Sequence, residues 1–87
     1  MRVVVFGKVQ GVWYRAWTAQ QARNRGLFGW VRNRLDGSVE AVFSGSAQEI
    51  VGMVKSCHEG PPLADVRSIK VDDYLGTEKN FSSFTIR

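Results

Sequence analysis

Two groupings of residues in this chain could do chemistry. The first is Gly7-Lys8-Val9-Gln10-Gly11-Val12-Trp13-Tyr14-Arg15, a turn bracketed by glycines with an arginine just beyond it. Glycine lets main-chain N–H groups converge with no Cβ in the way. A helix starting there would aim further unpaired amides, and the positive end of its dipole, at the same spot. The planar fork of a guanidinium matches a tetrahedral oxyanion, so the loop reads as a cradle for a phosphoryl group. Gly-x-x-x-Gly alone fits a purely steric strand-to-helix turn equally well. The second grouping centres on Asn33, whose carboxamide could bond its own backbone in a turn or face a pocket. Asp36-Gly37 already supplies a turn signal, so the Asn33 amide reads as available for binding.

The surrounding elements must bring these groups together. Residues 2–8 are valine-rich and read as a buried strand. Residues 12–25 contain neither proline nor glycine; Tyr14, Thr18, Ala19 and Ala22 share one helical face, and Gly26 supplies the stop. Small residues on that face suit a helix lying close to a sheet. Trp13 and Trp17, four apart on a flank of the helix, read as packing against loops rather than as substrate contacts. Residues 27–34 form a second strand, Leu35-Asp36-Gly37-Ser38 a hairpin turn, and residues 39–44 a third strand with Val39, Ala41 and Phe43 on one face.

Ser46-Ala47-Gln48-Glu49 has the spacing of a capping box. It opens a helix whose apolar stripe is Ala47, Ile50, Val51, Val54 and Cys57, closed by Gly60-Pro61-Pro62. His58 falls in the last turn, where it suits the dipole better than it suits catalysis. Residues 64–72 make a fourth strand with Ile69 and Val71 inward, and a polar connection over residues 76–80 leads to a short strand over 81–86.

The order β-α-β-β-α-β plus a short strand points to an α+β fold. Its economical form is a ferredoxin-like sandwich, an antiparallel sheet of two split βαβ units with both helices on one face. In a split βαβ unit the first two strands run parallel with the third between them. The loop after strand one and the end of strand two then emerge at the same edge, about 10 Å apart. Arg15 lies just past the first of these ends and Asn33 at the second, so a guanidinium and a carboxamide face one pocket.

Composition narrows the partners. Eighty-seven residues suit one domain, residues 1–87, and 44% hydrophobic with 23% charged residues excludes wholesale disorder. No apolar run approaches the roughly 20 residues of a membrane span, and the short apolar start does not read as a secretory signal. Cys57 is the single cysteine, so it can form no internal disulfide. With His58 it provides too few ligands for zinc, and a reducing, cytoplasmic home fits. The net charge of +4 favours anionic partners. Arg2, Lys8, Arg15, Arg23, Arg25, Arg32 and Arg34 all precede the first acid, Asp36, which concentrates positive potential in the N-terminal half.

These residues resemble a known family, the acylphosphatases. Val9-Gln10-Gly11-Val12-Trp13-Tyr14-Arg15 is similar to its Val-Gln-Gly-Val-x-(Phe/Tyr)-Arg loop, and Gly29-Trp30-Val31-Arg32-Asn33 to its Gly-Trp-Val-x-Asn strand. Asp36-Gly37-Ser38-Val39, Gly60-Pro61-Pro62-x-Ala64-x-Val66 and Phe84-Thr85-Ile86 extend the likeness over nearly the whole chain. The main departure is the bulky Trp13 at the loop's variable position, which bears on pocket access or substrate preference.

The resemblance implies hydrolysis of a carboxyl-phosphate anhydride to a carboxylate and inorganic phosphate, with no metal and no cofactor. It implies that Arg15 and the amides of Gln10, Gly11, Val12, Trp13, Tyr14 and Arg15 hold the phosphoryl group while Asn33 holds the attacking water. It also implies a monomer acting on a small-molecule acyl phosphate, with no nucleic-acid or membrane partner. A carboxylate leaving group, whose conjugate acid has a pKa of about 4, needs no strong general acid, which makes so small a catalytic kit sufficient.

Three other functions fit these residues less well. RNA-recognition domains share this element order, but their glycine-aromatic strand pattern is missing. A metal chaperone would need a Cys-x-x-Cys near the first loop. A regulatory domain without activity would have no use for both Arg15 and Asn33.

Overall fold

The valine-rich start of the chain folds as an inner strand, β1 (Arg2–Lys8), because its side chains are apolar on both faces and both faces are covered. In this computed structural model, residues 1–78 and 80–87 are described. After β1 come α1 (Tyr14–Asn24), β2 (Phe28–Asn33), β3 (Val39–Ser44), α2 (Ala47–Glu59), β4 (Asp65–Asp72) and β5 (Phe84–Ile86). The sheet order is β4-β1-β3-β2-β5. β3 pairs antiparallel with both β1 and β2, so β1 and β2 run parallel across it, as a split βαβ unit requires. β4 completes the antiparallel ferredoxin-like set on the other side of β1.

The two split βαβ units form the antiparallel sheet expected from sequence, and the short extra strand joins it in parallel. β5 pairs parallel to β2, in the register Gly29↔Phe84, Trp30↔Thr85 and Val31↔Ile86. It is also shorter than expected, beginning at Phe84 rather than at residue 81. β4 and β5 lie at opposite edges, four strand spacings or roughly 19 Å apart. Between them, Tyr74 and Phe81 lie over the helix-free face, where Tyr74 meets Trp30 edge-on at 6.4 Å and Phe81 contacts Tyr74 at 6.1 Å. That cover explains why Val4, Val42 and Trp30, all pointing away from the helices, are nearly as buried as the core.

Between helices and sheet lies one core. It combines Val3, Val5, Val31, Val39, Ala41 and Phe43 from the strands with Tyr14, Ala19, Ala22, Met53 and Cys57 from the helices. Phe84 stacks on Phe43 with ring centroids 5.6 Å apart, so even the three-residue β5 is anchored by an aromatic contact. The small buried residues of α1 (Thr18, Ala19, Ala22) follow the face read from the sequence and let the helix sit close to the strands.

β4 departs from simple alternation. Its pairing with β1 jumps from Phe6↔Ser68 to Gly7↔Val66, leaving Arg67 as the extra residue of a β-bulge. The bulge resets the face, so Val66 and Ile69, three apart, both pack against the core. Val71 was expected inward but is 44% exposed near the end of this edge strand. At the start of α2, Ser46 accepts a hydrogen bond from the Glu49 amide, which is half of the expected capping box. The Glu49 carboxylate instead pairs with Arg25 at 3.1 Å.

The covered face also holds a buried charge. Glu40 lies between two arginines, accepting from Arg2 Nε at 2.5 Å and from Arg32 Nε at 2.6 Å. Cross-strand register sets this up, because Glu40 stands opposite Val4 on β1 and opposite Arg32 on β2. Burial pushes the Glu40 carboxyl up, but the two guanidiniums outweigh it and hold the group below the ordinary glutamate range.

Candidate active site

The loop from β1 to α1 is shaped by what it buries. Val9 and Val12 both enter the core, so the chain dips inward twice within four residues. Between and after them, Gly11 (φ 74°) and Trp13 (φ 70°) adopt left-handed backbone geometry. Glycine takes it freely. For tryptophan it costs roughly 1–2 kcal/mol, and Trp13 is the one non-glycine residue among those described with a positive φ. The same geometry explains why α1 begins at Tyr14 rather than at residue 12.

Gln10 fixes the loop from the side. Its Nε2 donates to the Arg34 carbonyl at 2.8 Å and to the Ser38 carbonyl at 2.9 Å. Both carbonyls belong to the β2–β3 hairpin, whose turn is closed by Arg34 N–H donating to Ser38 at 2.9 Å. Ser38 also donates through its amide (2.9 Å) and hydroxyl (2.6 Å) to Asp36 Oδ1, and these bonds hold the Asp36 carboxyl below its ordinary value. One side chain therefore ties the glycine-bracketed loop to the hairpin that carries Asn33. Sequence reasoning assigned Gln10 a role only through its main-chain amide; no spacing rule pairs residue 10 with residues 34 and 38.

With the loop so pinned, the amides of Gln10 to Arg15 find no protein acceptor among the described residues, and Trp13 as N-cap offers no side-chain oxygen. Arg15 is the second residue of α1, half-buried, with Nη1 donating to the Arg87 carbonyl at 3.3 Å. Asn33 ends β2 on the face that Val31 turns toward the helices, past the limit of the core. Its carboxamide is exposed, with no hydrogen-bond partner among the described residues. Arg15 and Asn33 line one cleft of about 330 Å³, together with Val9, Gly11, Trp13, Tyr14, Ala16 and Ile86. The lining contains a cation and no carboxylate, so it favours an anion. Among the described residues no group of three or more His, Cys, Asp or Glu is placed to hold a metal ion.

The aromatic residues divide differently from the expectation. Trp17 packs against the core and contacts Tyr14 at 5.4 Å. Trp13 does not pack: it is 78% exposed and lines the cleft, because its left-handed backbone turns it away from its buried neighbours Val12 and Tyr14. Tyr14 ties the start of α1 to the end of α2 by donating its hydroxyl to the Cys57 carbonyl at 2.6 Å, in the turn where helix carbonyls lack intrahelical partners. Burial pushes the Tyr14 phenol far above its usual pKa and the Cys57 thiol up to about 12, so both stay protonated near neutral pH.

The family model described as Acylphosphatase matches residues 1–86. An acylphosphatase from Rhizorhabdus wittichii is 56% identical over 75 residues, covering 86% of this chain and 76% of that protein. One from Pelotomaculum thermopropionicum is 48% identical over 86 residues, covering 97% and 90% respectively. The crystal structure of an acylphosphatase from Bacillus subtilis superposes with a TM-score of 0.92 at 35% identity, covering 99% of this chain and 94% of that one. Likeness of this extent in both sequence and fold shows that the chain belongs to the acylphosphatase family.

Proposed function

We propose that the protein hydrolyses acyl phosphates at the cleft between the β1–α1 loop and the end of β2. The observation that carries this reading is a cleft lined by Arg15 and Asn33 together with Gly11, Trp13 and Tyr14, whose main-chain amides have no protein acceptor among the described residues. The phosphoryl group sits in the amide cradle, with the Arg15 guanidinium spanning two of its oxygens. Asn33 orients a water in line with the bond to be broken. The water oxygen bonds to phosphorus as the bond to the acyl oxygen breaks, and the carboxylate leaves with the electron pair.

No lining side chain is a base near neutral pH, so the water's proton passes to a phosphoryl oxygen. A loose phosphoryl-transfer transition state needs positioning and charge stabilisation more than covalent help, and this lining supplies both. The guanidinium and the amides provide positive potential without a metal. A monomer in the cytoplasm completes the reading; the lone buried cysteine, which needs no oxidising compartment, bears on the compartment alone.

The test is phosphate release from acetyl phosphate by the wild type, Arg15→Gln and Asn33→Ala, each with and without EDTA. Wild-type hydrolysis that EDTA leaves unchanged, and that both substitutions depress, is the expected result. Full activity in either variant removes that residue from the mechanism. Loss of activity on chelation overturns metal independence.

A further inference from the structure

We propose that Trp13 sets acyl-group preference, its indole forming an apolar platform that favours aromatic acyl phosphates over short aliphatic ones. The inference rests on the acyl-phosphate reading and names the half of the substrate that reading leaves open. If Arg15 and the loop amides hold the phosphoryl end, the acyl end must leave the cradle past the remaining lining residues. Those are apolar apart from Asn33: Val9, Trp13, Tyr14, Ala16 and Ile86. Val9 and Tyr14 are already buried, so they have little surface left to offer a ligand.

Trp13 and Ile86 do have that surface, at 78% and 46% exposed. Trp13 offers by far the larger area. It is also the residue whose left-handed backbone presents its ring outward while both neighbours turn in. A glycine would adopt that φ without strain, as Gly11 does two residues earlier, so backbone geometry does not call for an indole here. An aromatic acyl group leaving the cradle can lie on this ring and bury it. An acetyl group is too small to do so.

The experiment compares kcat/KM for benzoyl phosphate and acetyl phosphate in the wild type, Trp13→Gly, Trp13→Ala and Trp13→Phe. Trp13→Gly removes the ring while suiting the left-handed backbone, which separates side-chain contact from loop shape. The benzoyl-to-acetyl ratio is expected to fall about tenfold in the glycine and alanine variants, and to recover largely in the phenylalanine variant. A ratio unchanged in Trp13→Gly, whether both rates fall together or neither falls, overturns the inference and leaves the acyl-phosphate reading standing. Failure of the wild type on both substrates overturns that reading and the inference with it.

Discussion

Arg15 and Asn33 share one cleft, yet their substitutions should have different kinetic signatures. Arg15 carries the fixed positive charge, and the Arg87 carbonyl engages one of its nitrogens. Arg15→Gln should cost at least ~2.7–4 kcal/mol of transition-state stabilisation, as loss of an oxyanion donor does, and should weaken inhibition by phosphate as well. Arg15→Lys keeps the charge but loses the planar fork, so its kcat/KM should fall between the two. Asn33 bears no charge and faces the cleft from the opposite strand. Asn33→Ala should therefore lower kcat more than it raises the phosphate inhibition constant, and steady-state kinetics with phosphate as competitor would check this. Equal effects on both constants would make Asn33 a phosphate ligand rather than a positioner of water.

Those two side chains meet because two connections are fastened to each other. Gln10 donates from the β1–α1 loop to two hairpin carbonyls, so Gln10→Ala should loosen loop and hairpin together. The expected cost is about 1–2 kcal/mol of stability, with weaker phosphate inhibition and lower kcat/KM, measured by urea denaturation and kinetics. Gln10→Glu should be worse, because a carboxylate cannot donate to either carbonyl.

Much of this arrangement was legible in the sequence. Periodicity marked both helices and the first four strands, and Asp36-Gly37 marked the turn. The split βαβ geometry placed Arg15 and Asn33 at one edge. Features that depend on contacts between distant residues were not legible. The Arg67 bulge is a property of β4's pairing with β1, and the exposure of Val71, which shares the face of Ile69, follows from β4's place at the sheet edge. The parallel direction of β5 is set by its pairing with β2 at the far edge from β4, which no local pattern encodes. Helical spacing counted from residue 12 makes Trp13 a packing residue, and its left-handed backbone breaks that spacing.

Across the whole molecule, the helix-free face holds a pH-sensitive element. Glu40 is more acidic in the folded protein than in the unfolded chain, because Arg2 and Arg32 stabilise its charged form. A depressed folded pKa contributes stability that is fully present above the unfolded value and is lost as pH falls through the folded one. Urea midpoints should therefore drop on acidification below the ordinary glutamate range. Glu40→Gln should lose about 1.5–3 kcal/mol near neutral pH and show a flatter acid limb. The segment between β4 and β5 has a mechanical consequence. Leu75 in it is 89% exposed, so a protease that cuts after leucine has ready access. A single nick there would leave the piece bearing β5 held only by noncovalent contacts. Its departure would strip Ile86 from the cleft wall and the Arg87 carbonyl from Arg15 without touching the β1–α1 loop.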